Sequence, residues 1–279
     1  MTAYTIMGVV NVTPDSFSDG GVFDDARAAI AHARRLAAEG AGIIDVGGES
    51  TRPGADPVPV NEELARVLPV IEGVAGLEGV QVSIDTMKAS VAEAALDAGA
   101  TYVNDVTAFR YDPEMAALVA DRKADCCLMH MLGEPRTMQQ DPRYGDVVDD
   151  VRAFLEERMA SAVGAGVAEE RIQLDPGIGF GKTLEHNLEL LRRLDELAAL
   201  ERPLVIGTSR KSFLGRLTGR DVTERVHATV ATTVIAYERG ARVFRVHDVA
   251  ATADALAVAA ATFAPWPPTP TRSSTTRTT

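Results

Sequence analysis

The stretch IIDVGGESTRPG, residues 43–54, changes from apolar to polar halfway along its length. Ile43, Ile44 and Val46 suit a strand that is enclosed on both faces. The glycines, acid, hydroxyls and arginine that follow are far more than a surface turn requires. We therefore expect a buried strand that ends in a functional loop.

The same transition recurs along the chain. Apolar runs predict eight strands, at 5–12, 42–47, 80–86, 101–106, 124–130, 171–176, 202–208 and 241–249. Amphipathic segments between them predict helices, and several end in a glycine suited to a left-handed C-cap: Gly40, Gly99, Gly166 and Gly240. Strands that alternate with helices pair in parallel through right-handed crossovers. The pattern predicts an α/β fold, a (β/α)8 TIM barrel, with an open doubly wound sheet as the alternative.

One helical segment, residues 61–77, contains Pro69. A proline inside a helix removes a backbone donor and clashes with the preceding turn. We expect this helix to be kinked or split.

Composition limits the domain organisation and the classes of partner. Apolar residues make up 46% of the 279, enough for a large core. We expect one barrel domain over 1–264 and a disordered Pro/Thr/Ser-rich tail over 265–279. The net charge of −12 disfavours a nucleic-acid partner, and no run approaches the ~18 apolar residues of a membrane span.

The only cysteines are the neighbours Cys126 and Cys127. Neighbouring side chains on a strand point to opposite faces, so we expect no disulfide between them. Reduced core cysteines are typical of a cytoplasmic protein.

Hydrogen-bonding or charged groups follow every predicted strand, and in a parallel barrel they meet at one rim, where active sites lie. Asp85, Asn104 and Asp175 would suit a flat heterocycle rich in N–H groups, because buried carboxylates need a partner. Basic groups also follow three strands and predict an anion site: Arg52, Arg210, Lys211, Arg245 and His247.

The segment DPGIGFGKT, residues 175–183, is similar to two nucleotide motifs but fits neither. A P-loop would require glycine where Pro176 stands, and a dinucleotide fingerprint would require glycine at Lys182. Its glycines suit close approach of backbone to a ligand, with Phe180 as an apolar wall. The histidines and cysteines show no metal-binding spacing, although a hard cation held mainly by ligand phosphates leaves little trace in a sequence.

Seven motifs together resemble the dihydropteroate synthase family, in that family's order: 11–21, 47–54, 83–86, 103–105, 174–183, 207–215 and 245–249. The resemblance implies a (β/α)8 barrel that joins 6-hydroxymethyl-7,8-dihydropterin diphosphate to 4-aminobenzoate. The products would be 7,8-dihydropteroate and pyrophosphate, in the step of folate biosynthesis that sulfonamides block. It also implies a homodimer and Mg²⁺ as the cofactor.

Carried over residue by residue, the resemblance assigns roles within the site. The pterin contacts would be Asp85, Asn104, Asp175 and Lys211. The catalytic residues would be Asp85, Asp175, Lys211 and Arg245. Asn11 would bind Mg²⁺, and Arg245 and His247 would hold the diphosphate beside Thr51. The residues near 4-aminobenzoate would be Phe17, Arg52, Pro53 and Ser212.

The chain departs from the family after the VND motif. A short Ser-Gly-Gly-like turn is usual there, whereas this chain has the bulkier Phe109, Arg110 and Tyr111, which we expect to alter the rim or the pterin entrance.

Two alternative functions remain open. A pterin-dependent methyltransferase barrel would lack the TRPG and SRKSFLG segments, both of which are present. A non-catalytic pterin-binding paralogue would be expected to lose Asn11, Lys211 or Arg245, and all three are retained.

Overall fold

A computed structural model describes residues 4–13, 22–52 and 54–263. Eight parallel strands form its sheet: β1 (Thr5–Asn11), β2 (Ile43–Gly47), β3 (Gln81–Asp85), β4 (Tyr102–Asp105), β5 (Asp125–Met129), β6 (Ile172–Asp175), β7 (Val205–Ile206) and β8 (Val243–Val246). Their order is β6-β5-β4-β3-β2-β1-β8-β7. A parallel bridge between Leu174 and Leu204 joins the two outer strands and closes the barrel. The predicted TIM barrel is confirmed; the tail proposed over 265–279 lies outside the described residues.

At least one helix follows each strand in the described ranges. The α-helices are α1 (Val22–Ala38), α2 (Val60–Val74), α3 (Ala89–Asp97), α4 (Met115–Arg122), α5 (Val147–Gly164), α6 (Leu184–Arg192), α7 (Leu194–Ala198), α8 (Ser212–Thr218), α9 (Val226–Glu238) and α10 (Val249–Phe263). The four predicted capping glycines all have left-handed backbones, with φ of 108°, 111°, 100° and 102° in chain order. No described helix is long and apolar enough to cross a membrane.

The predicted split at Pro69 is wrong, because α2 is continuous from Val60 to Val74. Val67 and Val70 on either side of the proline are fully buried. Burial of this apolar face outweighs the loss of one backbone hydrogen bond.

A small apolar cluster fills the inside of the barrel: Met7, Ile43, Tyr102, Cys127, Val205 and Val243. Two pairs of its members are direct register partners on neighbouring strands, Met7 with Ile43 and Val205 with Val243. Cys126 belongs instead to the larger core between sheet and helices. The two cysteines therefore point to opposite faces and are unpaired, as predicted. The inner cluster closes the barrel beneath its carboxyl-terminal rim.

The unusual loop after β4 turns much of its bulk away from the rim. The Asp105 carboxylate accepts hydrogen bonds from the N–H groups of Thr107 at 2.7 Å and Phe109 at 3.0 Å. Ala108 and Phe109 adopt left-handed φ values of 53° and 63°. The Phe109 side chain is buried in the main core, whereas Tyr111 is exposed.

Candidate active site

Asp45 lies at the centre of the barrel mouth. Strand β2 is buried along its whole length, and the alternation of its side chains directs Asp45 inward, one layer above Ile43. One carboxylate oxygen accepts the Ser83 hydroxyl at 2.6 Å. The other accepts the Asn104 amide at 3.1 Å and the Arg245 Nε at 2.7 Å. Asp45 therefore ties β2 to β3, β4 and β8.

Arg245 extends this network to a second carboxylate. Its Nη2 donates to Asp85 at 2.6 Å, so one guanidinium bridges two buried aspartates. Burial raises the pKa of Asp85 to about 7; Arg245 opposes this rise and Asp45 adds to it. Burial alone would lower the pKa of Arg245, but the two carboxylates raise it. Arg245 thus remains a cation in the pocket floor.

A second wall is formed by Asp175 and the loop after β6. The Asp175 carboxylate accepts the Gly177 N–H at 2.6 Å, and burial raises its pKa. Gly177 has a left-handed φ of 66°, and a Cβ there would lie 1.8 Å from the His130 carbonyl oxygen. Glycine therefore lets this loop pack against the end of β5.

Lys211 lies opposite this loop. Its Nζ donates to the Ile178 carbonyl and lies 4.6 Å from the centre of the Phe180 ring. Burial lowers the pKa of Lys211 to about 8, and Asp175 limits that decrease. An ammonium beside an aromatic face provides a donor next to an apolar wall.

His247 lies at the end of β8, against the loop after β7. Its backbone N–H donates to the Ser209 hydroxyl oxygen at 3.1 Å, and its Nδ1 lies 3.0 Å from the same oxygen. Burial, followed by the nearby Arg245 charge, lowers the pKa of His247 to about 4. The imidazole is therefore neutral near pH 7.

The basic residues predicted as an anion site do not all serve one purpose. Arg210 donates its Nε to Asp248 at 3.0 Å and forms a salt bridge there, so its charge is already paired. Arg52 is exposed, and Thr51 is half-buried. Ser212 is exposed at the first residue of α8, and Asn11 is half-buried at the end of β1.

The structure brings together the network of Asp85, Asn104 and Arg245, and it pairs Lys211 with the loop of Asp175 and Phe180. Thr51 and Asp85 line the same small cavity. Glu49, Glu63 and Thr86 also line it. Phe17 and Pro53 lie outside the described residues.

Several polar partners were not assigned from the sequence. Asp45 interrupts an apolar strand, and a buried acid of this kind indicates a cationic partner. Ser209 and Lys88 carried no such signal.

The lysine of the nucleotide-like segment has a different environment from a P-loop lysine. Lys182 is buried, with its Nζ 2.9 Å from His130 Nδ1 and 3.1 Å from the Phe180 carbonyl. Burial lowers the pKa of His130 to about 2, so its neutral ring accepts a hydrogen bond from Lys182. The pair holds the loop after β6 against β5.

No cluster of three or more His, Cys, Asp or Glu side chains among the described residues is arranged to hold a metal ion. The barrel mouth presents acidic, amide and basic groups around an apolar wall, as a site for a polar aromatic ligand requires.

Residues 7–247 match the pterin binding enzyme family, and the chain belongs to it. It is 52% identical over 255 residues to dihydropteroate synthase of Neisseria meningitidis serogroup C, with 90% of each chain covered. Dihydropteroate synthase of Xanthomonas albilineans, solved with 4-aminobenzoic acid, superposes with a TM-score of 0.89 at 49% identity over 94% of both chains. The same protein in complex with 7,8-dihydropteroate gives 0.86 at 46% identity over 95% of this chain and 97% of that one.

Proposed function

We infer that the chain is a dihydropteroate synthase. It condenses 6-hydroxymethyl-7,8-dihydropterin diphosphate with 4-aminobenzoate, giving 7,8-dihydropteroate and pyrophosphate. The observation that carries this inference is the buried network of Asp85, Asn104 and Arg245 at the barrel mouth of a chain in this family.

For the pterin, we propose contacts with Asp85, Asn104, Asp175 and Lys211. The Asn104 amide nitrogen donates to Asp45, which leaves its carbonyl oxygen to accept from a ring N–H. Asp85 and Asp175 are buried acceptors, and the N–H groups of a pterin would supply the hydrogen bonds that such carboxylates need. Lys211 would donate to an acceptor of the ring, and Phe180 would pack against its face.

For the diphosphate, we propose Arg245 and His247, with Thr51 beside them. Arg245 uses Nε and Nη2 for the two aspartates, and its Nη1 makes no hydrogen bond within the described ranges. That nitrogen is the one we expect to meet a phosphate oxygen.

We propose that Mg²⁺ binds at the side-chain oxygen of Asn11. An amide oxygen is a suitable hard ligand, and the side chain makes no hydrogen bond to the described residues. Diphosphate oxygens and water would complete the coordination. When bound, the ion would neutralise charge on the diphosphate.

The reaction asks the protein for charge stabilisation and positioning. We propose that the C–O bond to the diphosphate breaks first and that Asp85 and Asp175 stabilise the positive charge left on the pterin methylene. The amine of 4-aminobenzoate then attacks the methylene carbon from a pocket that orders it near Thr51, Arg52 and Ser212, and it gives up one proton to the released pyrophosphate. Phe17 and Pro53 remain predicted members of that pocket.

We also propose a homodimer formed on the faces of α9 and α10, and a cytoplasmic location. Large apolar side chains are exposed on these two packed helices: Ile235, Val258 and Phe263. A second copy of the chain would cover them through a two-fold contact. Sedimentation of the chain and of its Val258→Glu variant tests this, since a dimer through this face would dissociate in the variant.

The function itself is tested by pyrophosphate release from the purified protein. Release should require Mg²⁺, the pterin diphosphate and 4-aminobenzoate together, with dihydropteroate appearing at the same rate. Binding of the pterin diphosphate without turnover would contradict the synthase assignment and favour a non-catalytic pterin-binding protein.

A further inference from the structure

A buried ion cluster lies beside the active site and has no role in the proposed chemistry. Lys88 Nζ contacts the carboxylates of Glu49 and Glu63 and donates to the Val58 carbonyl at 2.7 Å. The side chains of Lys88, Glu49 and Glu63 are 9%, 9% and 1% exposed. All three donors of the ammonium are therefore used, in a place with little access to water.

The groups that meet at Lys88 come from two different parts of the chain. Glu49 and Val58 belong to the loop between β2 and α2, whereas Glu63 belongs to α2. The Val58 N–H also donates to the Glu49 carboxylate at 3.2 Å. Glu49 and Val58 are thus held side by side, and residues 50–57 form the segment between them.

Further hydrogen bonds fix the same base. Arg66 Nη1 donates to the Gly48 carbonyl at 2.7 Å, and the Thr86 hydroxyl donates to Glu63 at 2.7 Å. Thr86 follows Asp85 directly, so the cluster also touches the strand end that carries the proposed pterin acid. Glu49, Thr51, Asp85 and Thr86 line one cavity.

The cluster is a costly way to stabilise a loop. It places one ammonium and two carboxylates where water is scarce, and well-packed apolar side chains often stabilise a protein as much. Burial alone would lower the pKa of Lys88, but hydrogen bonds to Glu49 and Glu63 raise it, so the lysine stays charged. The cluster fixes the relative positions of its members, because each of the three acceptors takes one N–H of the lysine.

We propose that Lys88 is a positioning residue for the second substrate: by holding Glu49 and Val58 together, it fixes the base of the β2–α2 loop so that Thr51 and Arg52 meet 4-aminobenzoate. This inference rests on the proposed function. Glu49 is the partner on the loop itself, and Glu63 anchors the lysine to the barrel.

Two matched variants test it, because Glu49→Gln and Glu63→Gln each neutralise one of the two carboxylates that pair with Lys88. We expect Glu49→Gln to raise the KM for 4-aminobenzoate about tenfold, equivalent to about 1.4 kcal/mol. Its KM for the pterin diphosphate should stay within about twofold of the parent value. Glu63 lies beside Thr86 and Asp85, so Glu63→Gln should raise the KM for the pterin diphosphate instead.

Hydrogen exchange gives a readout that does not depend on turnover. Backbone amides of the non-proline residues within 50–58 should exchange faster in Glu49→Gln than in Glu63→Gln, while β2 and β3 stay protected in both. Equal effects of the two variants on the KM for 4-aminobenzoate, or unchanged exchange over 50–58 in Glu49→Gln, would overturn the proposal. If the parent chain shows no turnover, the proposed function fails, and the exchange experiment still decides whether the clamp exists.

Discussion

The guanidinium of Arg245 lies 2.6 Å from the carboxylate of Asp85, and the two residues are 160 positions apart in the sequence. The same guanidinium also holds Asp45. A cation between two buried acids offsets part of the cost of burying their carboxylates.

Removing that cation should change the acid limb of the pH–rate profile. Because burial raises the pKa of Asp85 to about 7, we expect the rate to fall below pH 7 as the carboxylate is protonated. In Arg245→Gln the opposing charge is lost, so the limb should move to higher pH and kcat/KM should fall by a factor on the order of a hundred or more. Steady-state rates between pH 5 and 9 check this. An unshifted limb would show that another group controls it.

The stability of the protein should also depend on Asp85. A carboxyl with a raised pKa binds more protons in the folded state than in the unfolded state between its two pKa values. Its contribution to the free energy of unfolding therefore decreases as pH rises from about 4 to about 7. Urea unfolding gives the free energy of unfolding of the parent chain and of Asp85→Asn. The gap between them, parent minus variant, should decrease as pH rises from about 4 to about 7. A constant gap would contradict the raised pKa.

Lys211 should control the alkaline limb. Burial lowers its pKa to about 8, so above that pH it loses the proton that we expect it to donate to the pterin. Lys211→Arg retains its charge, and its weaker activity should persist to higher pH than that of the parent chain. Binding of the pterin diphosphate across this pH range, measured by calorimetry, tests the prediction. If the parent chain and Lys211→Arg show the same alkaline limb, a group other than Lys211 controls it.

The barrel fold and the polar residues of its rim were predictable because both follow from short stretches of sequence. Apolar runs such as 43–46 define strands, and Asp85, Asn104 and Asp175 stand at strand ends in the sequence itself. The partners of Lys88 were not predictable, since they lie 39 and 25 positions away and meet only after the strands have taken their register. The pairing of Arg210, which was grouped with the bases of the predicted anion site, was not predictable for the same reason, because Asp248 is 38 positions distant. The split at Pro69 was predicted wrongly because the loss of a backbone hydrogen bond can be read from the local sequence, whereas the burial that offsets it depends on tertiary packing.

The loop after β4 should be strained. Ala108 has φ 53°, where a Cβ costs roughly 1–2 kcal/mol. Ala108→Gly relieves this strain but also removes a buried methyl group, so it should raise the free energy of unfolding by less than about 1 kcal/mol. Chemical denaturation measures the change.

Phe109→Gly provides the matched comparison. It relieves the same backbone strain at φ 63° but removes a much larger buried side chain than the methyl group of Ala108. Loss of a core phenylalanine costs about 3–5 kcal/mol, so this variant should be less stable than the parent. Stabilisation by both glycines would mean that Phe109 contributes little to the core.

Ser209 should determine which nitrogen of His247 carries the proton. The hydroxyl oxygen accepts the His247 backbone N–H, and we expect its own proton to go to Nδ1, its other hydrogen-bond partner among the described residues. The proton of the neutral ring then lies on Nε2. Ser209→Ala should mix the two tautomers in nitrogen NMR spectra and raise the KM for the pterin diphosphate about fivefold.

Thr232→Val is the control for this change, because it removes a buried hydroxyl that bonds Thr208 instead of His247. It should leave the His247 spectrum unchanged. A protonated Nδ1 in the parent chain would refute the assignment.

The apolar layer of Met7, Tyr102, Cys127 and their neighbours fills the inside of the barrel, so a ligand reaches the polar groups above it from the rim. Both reactants must enter, and both products must leave, past the same rim. The proposed pterin groups lie against that floor, whereas Thr51 and Arg52 belong to the loop above it. If the proposed contacts are correct, we therefore expect the pterin diphosphate to bind before 4-aminobenzoate, because its contacts lie deeper in the barrel than Thr51 and Arg52.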